Sequence, residues 1–310
     1  MSDLGGVRVK NKGILFVLIG ASSFGFTPIF AKLGFQHGYT LGQLNIIQMV
    51  LSCILLWAIT IFKHTDFKGI TKRNIIKIMI TGSFVGLTSV FYYGAIQYLP
   101  ASLAVILLFQ FVWIGIFFEW IFTKIKPTIV TLGVLVLILT GVFFASNVIG
   151  GTIQSMPISG LVLGFLAAIT YAGFIFFSGK VAVDVNPWVR SSIMVTGSVV
   201  LVLLIFMRSI PSVVTFAPEL WLIAAGVGLF GSVFPPLFFA LGAHLISGSL
   251  ANILSSVELP VAIISASLIL SEHISGLQWI GIIMIILAIV INELGISIVK
   301  KLKHKKTYQT

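Results

Sequence analysis

The chain has 310 residues, 58% of them hydrophobic and only 9% charged, with a mean hydropathy of +1.14 and a formal net charge of +11. A water-soluble domain carries roughly 25% charged residues, so too little polar surface is present to cover a globule in water, and the composition points to a bilayer as solvent. The basic residues lie in short gaps between apolar runs, not in one patch, which argues against nucleic acid as a partner; a single cysteine, Cys53, excludes an intramolecular disulfide and a cysteine metal cluster.

Crossing a hydrocarbon core takes about 20 apolar residues in a helix. Runs of that kind predict an all-α membrane protein with ten transmembrane helices, over residues 13–34, 41–62, 75–99, 100–122, 127–147, 159–179, 187–207, 218–246, 248–270 and 276–299. The first run follows Arg8, Lys10 and Lys12 as a signal peptide would, but it is too long for a signal core and more spans follow, so it reads as an uncleaved first helix. Four runs open with proline (Pro100, Pro127, Pro187, Pro218), which suits a first helical turn where no N–H is needed. The turns at 99–100 and 247–248 are very short, so the helices they join are expected to be antiparallel neighbours. Pro235 and Pro236 fall inside the eighth run and should kink it, because each removes a ladder hydrogen bond.

Lys and Arg set the orientation. With the N-terminus in the cytoplasm and ten spans, 17 of the 19 basic residues lie inside, and only Lys32 and Arg208 outside. Both termini are therefore expected in the cytoplasm, with the loop at 272–275 facing outward and residues 298–310 forming a basic tail that anchors the last helix. The two halves, 13–147 and 159–297, match at a spacing near 148 residues. Gly25-Phe26 and Lys32 pair with Gly173-Phe174 and Lys180, Gly94-Ala95 with Gly242-Ala243, Ser102-Leu103-Ala104 with Ser249-Leu250-Ala251, and Gly133 with Gly281. Each unit holds five helices, an odd number, so the second copy is expected upside down relative to the first, the inverted repeat of many secondary transporters.

An ionisable side chain near the bilayer centre costs at least about 2.5 kcal/mol on insertion scales, so it faces a cavity or a partner. Glu258 lies mid-span beside Pro260. It reads either as a site for a substrate ammonium or a transported proton, or as a helix–helix hydrogen-bond partner through Asn252, Ser255, Ser256 or a more distant residue. Gln110 and Trp113, near the corresponding place in the first half, are further substrate-contact candidates, and His244 is a candidate for proton handling. Tyr92, Tyr93, Phe234 and Phe238 would line an aromatic pocket or face lipid. Glu119, before Lys124, reads as an interfacial ion pair, and Gly82-x-x-x-Gly86 and Gly160-x-x-x-Gly164 as close helix contacts.

The string Leu250-Ala251, Val257-Glu258-Leu259-Pro260-Val261, Leu270-Ser271-Glu272 and Gln278-Trp279-Ile280-Gly281 resembles the EamA-type ten-helix transporters of the drug/metabolite transporter superfamily. The likeness lies in a Glu-Pro element in the fourth helix of a unit, an acid at its end, and Gln-x-x-Gly opening the fifth. The first half is looser, with Ser102-Leu103-Ala104, Gln110 and Gly133; Ser271 stands where the family has glycine, and one residue separates Glu258 from Pro260. The resemblance implies export or exchange of metabolites such as amino acids, without ATP hydrolysis. A proton-coupled exporter of organic cations is the other transport reading, and an intramembrane lipid-modifying enzyme the rival from another class. The chain has no G-x-x-x-x-G-K-[ST], H-E-x-x-H or G-x-S-x-G motif and no loop long enough for a soluble catalytic domain, so it reads as a transporter, not an enzyme. The expected partners are the cell membrane, a small-molecule substrate and, as an open question, a second copy in a homodimer; no cofactor or metal is expected.

Overall fold

The computed structural model describes residues 2–68, 70–146, 157–213, 218–271 and 273–307, without the side chains of 2–7, 101, 270 and 294–307. Every described element is helical: α1 (Ser2–Phe24), α2 (Thr27–Gln36), α3 (Leu41–Phe62), α4 (Lys72–Tyr98), α5 (Ala101–Leu108), α6 (Phe111–Thr123), α7 (Ile129–Ala145), α8 (Ile158–Ser178), α9 (Pro187–Ile205), α10 (Ile210–Val213), α11 (Pro218–Gly228), α12 (Phe234–Gly242), α13 (Gly248–Ser255), α14 (Glu258–Leu270) and α15 (Gly276–Thr307). Several starts carry a side-chain cap, as at Thr40, Thr71, Thr128, Asn186 and Ser247. Of the four prolines expected at first helical positions, Pro187 and Pro218 open α9 and α11, whereas Pro100 is the N-cap of α5 and Pro127 precedes the cap of α7. Among the described residues nine helical segments are long and apolar enough to cross a bilayer, and α7, with 17 residues, is a shorter apolar one. Ile54, Phe62, Val136, Leu204, Leu222 and Ile283 are among many large apolar side chains left exposed, a surface that only lipid solvates well.

Four of the expected single spans are interrupted, three of them beside a proline. The first divides at Gly25-Phe26, ahead of Pro28; the ninth divides at Ser256-Val257, ahead of Pro260. Each proline lacks the N–H that the carbonyl one turn back would bond, and the helix restarts beyond the gap. The eighth contains a π turn at Leu229–Val233, directly before Pro235 and Pro236. The fourth also divides, at Phe109-Gln110, without a proline.

Contacts at the helix ends sort the loops onto two faces. On one, Lys63 lies over the Trp188 ring, Gly13 meets Leu245 and Lys10 pairs with Glu293 at 2.5 Å. On the other, His37 pairs with Glu219 at 3.2 Å and Gln278 reaches the Ala145 carbonyl. The first is here termed the basic face, since α1 starts there and α6 ends there at Lys124. Glu272 and residues 147 and 308–310, used above for a loop, a helix end and the tail, lie outside the described residues, as do the tail side chains.

The halves interlock reciprocally. The first helix of one unit (α1) packs on the third and fourth of the other (α12, α13), and α8 packs likewise on α4, α5 and α6. α4 crosses α9 while α11 crosses α3. Gly82 permits the first crossing, where an added Cβ would overlap the Met194 backbone; Gly228 permits the second, where it would sit 2.8 Å from Ser52 Oγ. Element i of one half touching j of the other, and the reverse, is the signature of a two-fold relation.

Candidate functional site

The bends of the first and ninth spans meet. A Cβ on Gly25 would sit 2.8 Å from the Glu258 carbonyl oxygen and from Val261 Cγ1, so only glycine lets the two backbones approach this closely. Glu258 opens α14 at this crossing and is buried. Its Oε2 accepts a hydrogen bond of 2.8 Å from the Tyr171 hydroxyl of α8. The Tyr171 ring is held edge-on by Phe24, centroids 5.2 Å apart, and by Phe111, at 4.6 Å.

Glu258 faces a cavity of about 40 Å³, lined also by Phe24, Tyr92, Tyr93, Tyr171 and Phe174, and by Thr27, Gln48, Thr88 and Ser89. Among the described residues it is the only carboxylate there, and no lysine, arginine or histidine joins it. Thr27 Oγ1 and Gln48 Oε1 are buried without a hydrogen-bond partner. Pro28 and Tyr92 also border a wider vestibule of about 520 Å³, whose wall includes Lys32, Phe35, Ile96, Val105, Ala262 and Ala266. A further space of about 220 Å³ adjoins it and reaches Ser102, His273 and Gln278, so the approach to Glu258 lies on the face opposite the basic one.

The profile of the EamA-like transporter family matches residues 11–147 and again 158–293. The chain belongs to the EamA-like transporter family. No curated protein matches the sequence. A solved crystal structure aligns with a TM-score of 0.72 over 93% of this chain and 98% of its own, at 12% identity, a likeness that shows the fold alone. The double match makes this EamA-like protein a membrane transporter of duplicated halves, not an enzyme.

Of the residues singled out in the sequence of this transporter, Glu258, Tyr92 and Tyr93 share the cavity. The other six lie outside its described lining. Gln110 and Trp113 bind each other, Trp113 Nε1 donating to Gln110 Oε1 at 2.9 Å, and Trp113 lies against Phe165 of α8. Phe234 and Phe238 build an aromatic seam with Phe16 and Phe230 between α1 and α12. Asn252 is packed on Gly115 and donates to the Gly248 carbonyl. His244 is exposed, in the 3₁₀ turn at the basic face. For Trp113, Phe234, Phe238 and Asn252, tertiary packing turned the side chain toward a neighbouring helix; Gln110 is held within its own bent span, and His244 is exposed.

One further expectation is corrected. Glu119 is not an interfacial partner of Lys124; it is buried, and its carboxylate accepts from Gly248 N at 3.0 Å, from Ser249 N at 2.6 Å and from Ser249 Oγ. Arg190, which falls in the first turn of the seventh predicted span, is fully buried in α9 and donates to the carbonyls of Ala240 and Val181. Both close the basic face, together with the rings of Phe118, Phe122, Phe176 and Phe177. Tyr171, Thr27 and Gln48 went unnoticed in the sequence. The match of Gly25-Phe26 with Gly173-Phe174 was the one signal pointing near Thr27 and Tyr171.

Proposed function

We propose that this transporter is a secondary exporter of small metabolites bearing an ammonium group, amino acids among them, working by alternating access between the two faces. The observation that carries the proposal is the set of acceptors converging on the cavity: the Glu258 carboxylate and the unpartnered Gln48 Oε1 and Thr27 Oγ1. An ammonium brings three donors and a charge and so satisfies all three. The aromatic walls add favourable ring-face contact for a cation. Lys32, one helical turn from Pro28 along α2, stands in the vestibule where an amino acid's carboxylate would follow its ammonium. The interlocked duplicate halves, five spans each, support rocking about a central site.

The excess of Lys and Arg on the basic face supports a cytoplasmic location for it and for both termini in the cell membrane. In a Cys53→Ser background, a cysteine at Ser275 should react with an impermeant thiol reagent on intact cells; reaction only after permeabilisation would reverse the orientation. Uptake of radiolabelled amino acids, polyamines, organic cations and carboxylates into proteoliposomes tests the substrate class. Accumulation of amine-bearing compounds is expected, and accumulation of carboxylates alone would overturn the proposal. The apolar vestibule favours one second reading, exchange of an organic cation for protons at Glu258, which requires that an imposed pH gradient drive the flux.

A further inference from the structure

The two halves carry the same bent helix, and this exposes an asymmetry between the faces. α5 and α13 each have eight residues, α6 and α14 each thirteen, with two residues between, and α6 and α14 end at Lys124 and Ser271, both in the left-handed region at φ 62° and 56°. Position 119 in this register corresponds to 266, and 248–249 to 101–102. On the basic face, Glu119 of the first half caps the N-terminus of α13 of the second through two backbone N–H groups and the Ser249 hydroxyl. On the opposite face the equivalent residue is Ala266, and Ala266 and Ser102 stand apart as walls of the same open space. The serine is kept and the acid is missing.

We propose that Glu119 is the positioning residue that holds the basic face shut, and that Ala266 leaves the opposite face without a matching latch, so the resting transporter stays open on that face. A carboxylate on helix-terminal N–H groups is favoured by both hydrogen bonding and the helix dipole, and it is broken whenever α6 and α13 separate. Opening the basic face therefore requires giving up three hydrogen bonds to a buried charge, whereas among the described residues the opposite face has no equivalent set to break. This rests on the alternating-access reading.

The test uses purified protein in nanodiscs, with Cys53→Ser and one reporter cysteine, and follows the rate of reaction with a soluble maleimide. Ile96→Cys reports the open vestibule; Ala21→Cys, fully buried one turn from Phe24 toward the basic face, reports opening there. In the otherwise native protein Ile96→Cys should react fast and Ala21→Cys slowly. Glu119→Gln should raise the Ala21→Cys rate roughly tenfold, the scale of a lost hydrogen bond to a charged group. Ala266→Glu, which installs the missing acid, should slow Ile96→Cys and speed Ala21→Cys by a comparable factor. Unchanged rates in folded Glu119→Gln would make Glu119 a stabilising cap only and overturn the latch; should that variant not fold, unchanged rates in Ala266→Glu do so. An Ala21→Cys that never reacts, lacking even the slow reaction expected in the native background, would instead overturn alternating access itself.

Discussion

The bent helices α5–α6 and α13–α14 have the same lengths and the same terminal backbone conformation, yet they put their acids in different places. The first carries Glu119 near its end and Phe111 at the bend; the second carries Ala266 near its end and Glu258 at the bend. Among the described residues Glu119 has three donors from one helix start, and Glu258 has one, the Tyr171 hydroxyl. Both carboxylates are buried, so burial does not tell them apart. Unfilled hydrogen-bonding capacity does: a carboxylate offers about four lone-pair sites, and where a helix terminus occupies them the group is mechanical, whereas where they face a cavity it is available to a ligand.

The largest effect should come from removing the charge of the unfilled carboxylate. Glu258→Gln keeps size and hydrogen bonding, and it should lower flux in proteoliposomes by about thirtyfold or more, since a desolvated charge pair is worth about 2 kcal/mol or more. Glu258→Asp should retain part of the flux. Near-normal flux for the glutamine variant, at equal amounts of folded protein, would place Glu258 with Glu119 as a structural acid.

The crossing that brings the bend of α13–α14 onto the first span should be nearly as sensitive, but in stability. Gly25→Val forces a branched side chain against the Glu258 carbonyl and Val261, and a destabilisation of about 1–3 kcal/mol is expected from overpacking, read as a lowered thermal midpoint in detergent. An unchanged midpoint would mean the two bends do not touch.

Tyr171→Phe keeps the ring between Phe24 and Phe111 and removes the one donor to Glu258. A loss near 1 kcal/mol, about fivefold in apparent substrate affinity with little change in maximal rate, is expected. A fall in maximal rate alone would assign Tyr171 to the conformational step. The smallest effect belongs to the other bend: Gln110→Ala breaks only local bonds, to Trp113 and to the Ile106 carbonyl, so flux should stay within about twofold, with stability changed by about 0.6 kcal/mol per bond, the mean for such bonds in a membrane. A loss comparable to that of Glu258→Gln would show that the two bends share the substrate.

Much of this was legible in the chain itself. Apolar runs announced the spans because a bilayer tolerates only segments that satisfy their own backbone. Spaced matches such as Ser102-Leu103-Ala104 with Ser249-Leu250-Ala251 announced the duplication, and Pro235-Pro236 the disturbed eighth span. Glu258 stood out because an acid at mid-membrane is costly. The bend at Phe109-Gln110 was not legible, since no proline marks it, and the aromatic residues of α12 were misjudged because Phe reads alike whether it faces lipid, a neighbouring helix or a cavity.

The sequence by itself determined the number and order of apolar segments, the two-fold repetition and which face gathers the positive charge, because each follows from local hydropathy and charge in a solvent that penalises polar groups by depth. Only the tertiary structure decided what each buried polar group meets. Tyr171 lies 87 residues from Glu258, and Gly248 and Ser249 lie 129 and 130 residues from Glu119. Such partners depend on how the halves interlock, on Gly25, Gly82 and Gly228 admitting a neighbouring helix, and a residue type states the energetic need for a partner but not the partner's position.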